Sequence, residues 1–428
     1  MTDITAIEEK FFNSLKRGTG EAYFIARDRP DIDFSDYIIE GTINDYAYDR
    51  QSEGSRSWYI FNLINLSSEK KKIRREILKN LATYIKDIWI LMQLFELAKL
   101  FADEGDKEAK QAIYNRFGNN IIENTTWVGY DEILELDGVA GLIFIASKLG
   151  QLLEQDSDNW QDESIINHFQ DDNLDVDAMQ ILKEEAKSNK YVKLYLDCIK
   201  KLKQSSKKSK KKKSYFQYIK QRIKENREFF FFSPFLLKNL KSEEVQQLAD
   251  DFLVEKNSKK LEKYLSIFSK IQFPYHYKPI LELVKRTPIE EYGLTDFANR
   301  VLGQIQADEI REFALENLHQ SNVPDLFTDL LISNYQEGDA KLLTAIAERS
   351  KDEQVIENLA CSYVKIYQKN KTKECKEPLL ELYKKMNCGI HRNYAIAIML
   401  ENDVLPDYIN DEIEFDSYEE TRQLHRKS

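Results

Sequence analysis

Glycine, proline and cysteine are all scarce in this sequence. Its 428 residues include 14 Gly, 8 Pro and 4 Cys, and each shortage excludes something. Sparse turn punctuation argues against many short strands joined by tight turns and suits helices joined by short loops. Four cysteines, at positions 198, 361, 375 and 388, are too few and too scattered for a disulfide framework, so a reducing cytoplasm is the simplest setting. The longest apolar stretch, residues 88–94, is interrupted by Gln93 and is too short to cross a bilayer, so no membrane association is expected. The first ten residues carry Asp3, Glu8 and Glu9 and no apolar core of a secretory signal. There are five histidines, and none stands beside a serine or cysteine in a recognisable nucleophile setting. A phosphate-cradling loop is missing too, because Gly138 and Gly141 have no lysine after them.

The residues that are present build helices. Hydrophobic residues make up 42% and charged residues 32%, enough apolar surface to fold in a chain longer than one compact core usually covers. Several domains or an elongated repeat array is therefore expected. Ile7, Phe11, Phe12 and Leu15 share one face of a helix over residues 5–16, and further helices are expected over 35–48, 58–66, 69–85 and 87–103. Over 87–103, Leu91, Leu94, Phe95, Ala98, Phe101 and Ala102 form a continuous stripe. Gly105 then sits where a helix stops and Asp106 where the next begins, predicting an antiparallel hairpin with a helix over 107–117.

Charge divides the chain. Residues 200–227 hold 13 Lys or Arg against the single acid Glu225, a local +12 within an overall −11, so the remainder carries −23. Residues 203–213 contain no apolar side chain and read as a flexible Lys- and Ser-rich loop. This gives an N-terminal helical half over 1–202 with irregular hairpins, a loop over 203–214, and a more regular half over 215–428.

In the second half Ala298, Leu302-Gly303-Gln304-Ile305, Asp308-Glu309-Ile310-Arg311, Ala314 and Leu318 follow one another. This resembles the bacterial-type HEAT repeat, where a helix ends in Leu-Gly and the next opens with an acid shortly before an arginine. Gly303 suits a tight exit, Asp308 a cap, and Arg311 lies opposite the apolar stripe, within reach of a neighbouring repeat's acid. The step from Asp308 to Asp339, 31 residues, is close to one helical pair. The resemblance implies an all-α fold, an α-solenoid of stacked antiparallel hairpins, and with it a surface for a large partner.

The expected activity is accordingly that of a non-enzymatic protein-interaction scaffold, with no cofactor and no metal. An acidic body favours a basic protein or peptide. Arg50, Arg56 and Trp58, on and beside the polar stretch 49–56, join Tyr130 and Arg311 as candidate partner-binding residues. Lys207, Lys208, Lys210, Lys211, Lys212 and Lys213 are either a solvated loop or a contact for phosphate or an acidic partner, with Tyr215, Phe216 and Tyr218 following as stacking groups. Nucleic-acid binding is the alternative this opens. HEAT-like architecture also serves DNA-repair glycosylases, although none of their catalytic residues maps here, and an immunity protein wrapping one partner is a third reading. Among Cys361, Cys375, Cys388, His391 and His425 only Cys388 and His391 have the close spacing of zinc ligands, and free buried thiols are the expected outcome. The acids at 131, 132 and 135, and those at 171–177, are expected on exposed faces and at caps.

Overall fold

The computed structural model describes residues 2–83, 87–122, 127–156, 158–159, 161–205, 214–225 and 230–425. Among these the secondary structure is helical throughout, with no strand, and no helix is long and apolar enough to cross a membrane. The chain separates into two compact units, Met1–Ser209 with Asn410–Ser428, and Lys210–Ile409. The sequence reading carried the second half on to residue 428; in the structure residues 410–428 belong with the first unit. Phe415 stacks on Tyr23 with ring centroids 3.7 Å apart, and the Ser417 N–H donates to the Gly18 carbonyl at 2.8 Å.

In the first unit the expected hairpin forms. Helix Ile88–Asp103 starts at Asp87, whose carboxylate accepts from the N–H groups of Trp89 and Ile90. It ends with Gly105 at φ +93°, where the Asp106 N–H reaches the Phe101 carbonyl and the Gly105 N–H that of Ala102. Asp106 then accepts from the N–H groups of Glu108 and Ala109 to open helix Lys107–Ile122. These bonds satisfy both exposed ends, and the Leu91, Leu94, Phe95, Ala98 and Phe101 stripe is buried against the neighbouring helices. Helix Ser35–Ile43 is shorter than expected, and a short helix, Arg50–Glu53, fills part of what the sequence suggested was loop. Helix Tyr130–Gln155 bends sharply at Gly138 (φ +53°, ψ −122°) and packs along Lys190–Ser205.

In the second unit alternate helices lie side by side. Tyr292–Leu302 packs on Asp325–Thr328, that on Glu353–Lys369, and that in turn on Gly389–Glu401, while Ala340–Arg349 packs on Lys376–Tyr383. The Leu-Gly segment works by close approach. Gly303 has an ordinary helical φ of −61°, yet a side chain there would meet the Asp329 carbonyl oxygen at 2.2 Å. Asp308 is the first residue of helix Asp308–Gln320 and makes no side-chain cap, since Ala307 occupies the cap position. Arg311 does reach the next acid, forming paired bonds to Asp339 at 2.7 and 2.8 Å and a third to the Asn334 carbonyl at 2.6 Å.

Gly303→Ala should therefore cost about 1–3 kcal/mol, because backbone must move to admit one methyl group. Gly118→Ala, in a helix with open space around it, should be neutral or stabilising by up to about 1 kcal/mol. Urea unfolding of the two variants checks the contrast, and equal effects would show that the close approach is not limiting.

Candidate functional site

Four segments of the first unit converge on a cavity of about 460 Å³. Helix Ser57–Leu66 contributes Ser57 and Trp58 at its start. Helix Ile88–Asp103 contributes Met92, Glu96 and Lys99, spaced so that they share one face. Helix Ser164–Asp172 supplies His168 and Asp172 one turn apart. The fourth wall is the turn at residues 127–129 and the first turns of helix Tyr130–Gln155, with Trp127, Asp131, Glu132 and Glu135. Gly129, at φ +94°, lies so close to Phe95 that its absent side chain would clash with the ring.

Five carboxylates face this cavity, from Glu96, Asp131, Glu132, Glu135 and Asp172, against Lys99 and His168. Lys99 is partly spent on Glu135 and on Asp103 at 3.2 Å, and His168 lies 2.8 Å from Asp131. Glu132 is only 7% exposed and forms no ion pair among the described residues. Burial, with repulsion from Glu96, Asp131 and Glu135, pushes its carboxyl up to about 8, and its own backbone N–H only partly offsets this. Burial also raises Glu96, against hydrogen bonds from Ser55 and Ser57, and raises Asp131, against His168. A carboxyl raised by burial and by neighbouring acids marks a candidate site. Trp58 and Trp127, 41% and 46% exposed, add two indole faces. The Arg422 guanidinium already lies 4.1 Å from the Trp58 ring centre, the contact such rings make with cations.

Two of the sequence candidates belong to this site. Trp58 lines it, and Tyr130 meets the His168 ring edge-on at 5.7 Å. The others are engaged elsewhere. Arg50 bridges Asp87 at 2.7 Å and Asp45 at 3.7 Å. Arg56, expected as an exposed contact, is buried: it donates to the Lys16 carbonyl at 2.5 Å and pairs with Glu53 at 3.3 Å. Arg311 is held by Asp339 in the second unit. The lysines at 207, 208 and 210–213 lie outside the described residues, while Tyr215 and Tyr218 are exposed. Asp177 is a helix cap as expected, but Glu132 is not on an exposed face. Of the residues weighed for zinc, Cys375 is buried beside Tyr367, whereas Cys361, Cys388 and His391 converge with Glu357.

Compared with known proteins, the chain matches no family model and aligns with no curated protein.

The raised Glu132 carboxyl has a stability consequence. Folded, it holds its proton up to about pH 8; unfolded, it loses it near the ordinary value of 4.5. The unfolded state therefore binds fewer protons between those limits, and stability falls as pH rises through them. Glu132→Gln removes the penalty: it should be close to wild type at pH 4.5 and more stable at pH 8, by on the order of 3 kcal/mol. Thermal melts at the two pH values check this, and equal shifts at both would rule out the raised carboxyl.

Proposed function

We propose that the chain is a non-enzymatic interaction scaffold of HEAT-like helical hairpins, and that its first unit captures a basic segment of a partner protein. A lysine or arginine side chain enters the cavity that Trp58 and Trp127 line and meets the carboxylate of Glu132. The observation that carries this reading is the buried Glu132 carboxyl with no cation of its own. Such a group lowers stability, so its presence is best accounted for by a ligand that restores its charge. The cavity's size suits one long side chain and its flanking backbone, and indole faces with carboxylates are what a desolvated basic group requires. The overall −11 charge acts in the same direction by drawing basic segments toward the surface. The scaffold part of the reading is supported by the side-by-side helices of the second unit and by the Arg311–Asp339 link across one 31-residue step.

Calorimetry with a ten-residue Lys/Arg-rich peptide tests it. Binding should weaken with salt, and Trp127→Ala and Glu132→Gln should each weaken it at least ten-fold, about 1.4 kcal/mol. Binding should also strengthen from pH 6 to pH 8 with release of a proton. At pH 6 the incoming cation must displace the Glu132 proton, in a cavity where Glu96, Asp131, Glu135, Asp172, His168 and Lys99 also face it. Equal binding of an acidic peptide, or no effect of either substitution, would sink the proposal. An oligonucleotide that binds more tightly than the peptide, with steep salt dependence, would instead move the function to the lysines at 207–213.

A further inference from the structure

In the second unit, helix Glu353–Lys369 presents Glu357 and Cys361 one turn apart, and helix Gly389–Glu401 places His391 against both. His391 Nδ1 donates to Glu357 Oε2 at 2.7 Å. The other carboxylate oxygen, Oε1, accepts from the backbone N–H groups of Asn387 at 2.6 Å and Cys388 at 3.0 Å. Glu357, 1% exposed, is thus held on both oxygens and fixes the imidazole in one orientation. His391 Nε2 is left facing Cys361 Sγ, 2.9 Å away. Cys361 is half-buried, whereas Cys388 on the same histidine is buried. Arg300 of helix Tyr292–Leu302 acts electrostatically on Cys361, and Asp296, Asp329 and Lys365 complete the charged surroundings.

We propose that Cys361 is a nucleophilic thiol, activated by His391 and oriented through Glu357, that undergoes exchange with low-molecular-weight disulfides. The arrangement of sulfur, imidazole and carboxylate is that of an activated cysteine nucleophile. In the exchange the Cys361 sulfur attacks one sulfur of the incoming disulfide. A new S–S bond forms, the old one breaks, and its second sulfur leaves as a thiolate. No oxidant beyond the disulfide is required, and a free thiol reverses the step. The histidine favours this chemistry over acyl transfer. Burial opposes its charge, but contacts with Cys361, Cys388 and Glu357 push it up to about 12. With Nδ1 committed to Glu357, the imidazole meets the sulfur through Nε2 alone, and a departing thiolate needs no proton from it. A metal ion fits the group less well. Glu357, Cys388 and His391 offer ligand atoms within 4.8 Å of one another, yet both Glu357 oxygens are already occupied by N–H donors and Cys361 lies on the opposite ring nitrogen.

The full chain, incubated with hydroxyethyl disulfide at pH 6, should form a mixed disulfide that peptide mapping places on Cys361. The imidazole contact should make it about ten-fold faster than at Cys198, also half-buried but with the Gln161 backbone N–H at its sulfur. His391→Gln should abolish that advantage, and Glu357→Gln should reduce it. Should either variant fail to fold by circular dichroism, wild-type alkylation decides: iodoacetamide at pH 6 should modify Cys361 about ten-fold faster than Cys198. Equal rates at Cys361 and Cys198, or stoichiometric zinc whose removal alone exposes the thiol, would each overturn the proposal.

Discussion

Most helices in this chain run 8–17 residues, for example Glu21–Asp28, Ile88–Asp103 and Glu353–Lys369. Segments of that length are marginal in water by themselves and hold together only by burying an apolar stripe against neighbours. That requirement governs everything else described. It sets Tyr292–Leu302, Asp325–Thr328, Glu353–Lys369 and Gly389–Glu401 side by side, so polar residues about one hairpin apart in sequence become neighbours in space. Asp325 meets Asn358 at 2.9 Å, Asp329 meets Lys365 at 3.0 Å, and Cys361 meets His391. The Cys361–His391 contact thus follows from how the stripes are buried, with Glu357 fixing the imidazole.

The two units treat buried charge differently. In the second, Glu357 has a partner for each oxygen and Arg311 has a paired acid, so desolvation is offset by charge-assisted bonds. In the first, Arg56 is similarly matched to Glu53, whereas Glu132 has no ionic partner among the described residues and keeps its proton up to about pH 8.

Local signals were legible in the sequence wherever one stretch of chain decides the outcome. The stripe of helix Ile88–Asp103, the Gly105–Asp106 turn and the helix starts near Asp308 and Asp339 appear where the pattern puts them. Trp58, a candidate for standing beside the polar stretch 49–56, lines the acidic cavity, and Tyr130, the other candidate nearby, packs on His168 of its lining. What was not legible depends on distant segments. Arg56 reads as exposed from its polar neighbours, but the Lys16 carbonyl, forty residues away, draws it inside. Glu132 reads as one acid in a run, and its burial depends on segments that only the fold brings together. Cys361 and His391 are 30 residues apart, close to the 31-residue step from Asp308 to Asp339. A search for histidines one repeat away from cysteines, rather than beside them, would have paired them.

The return of residues 410–428 to the first unit gives its assembly an order in time. Phe415 and Arg422 close on Tyr23 and Trp58 from the far end of the 200 residues, 210–409, that form the second unit. During synthesis at roughly 5–20 residues per second, the first 209 residues wait about 10–40 s for these groups. Through that interval the Tyr23 ring and one face of Trp58 lack their final partners. A ribosome-bound chain therefore lacks the Phe415 and Arg422 contacts to these rings until synthesis has passed the second unit.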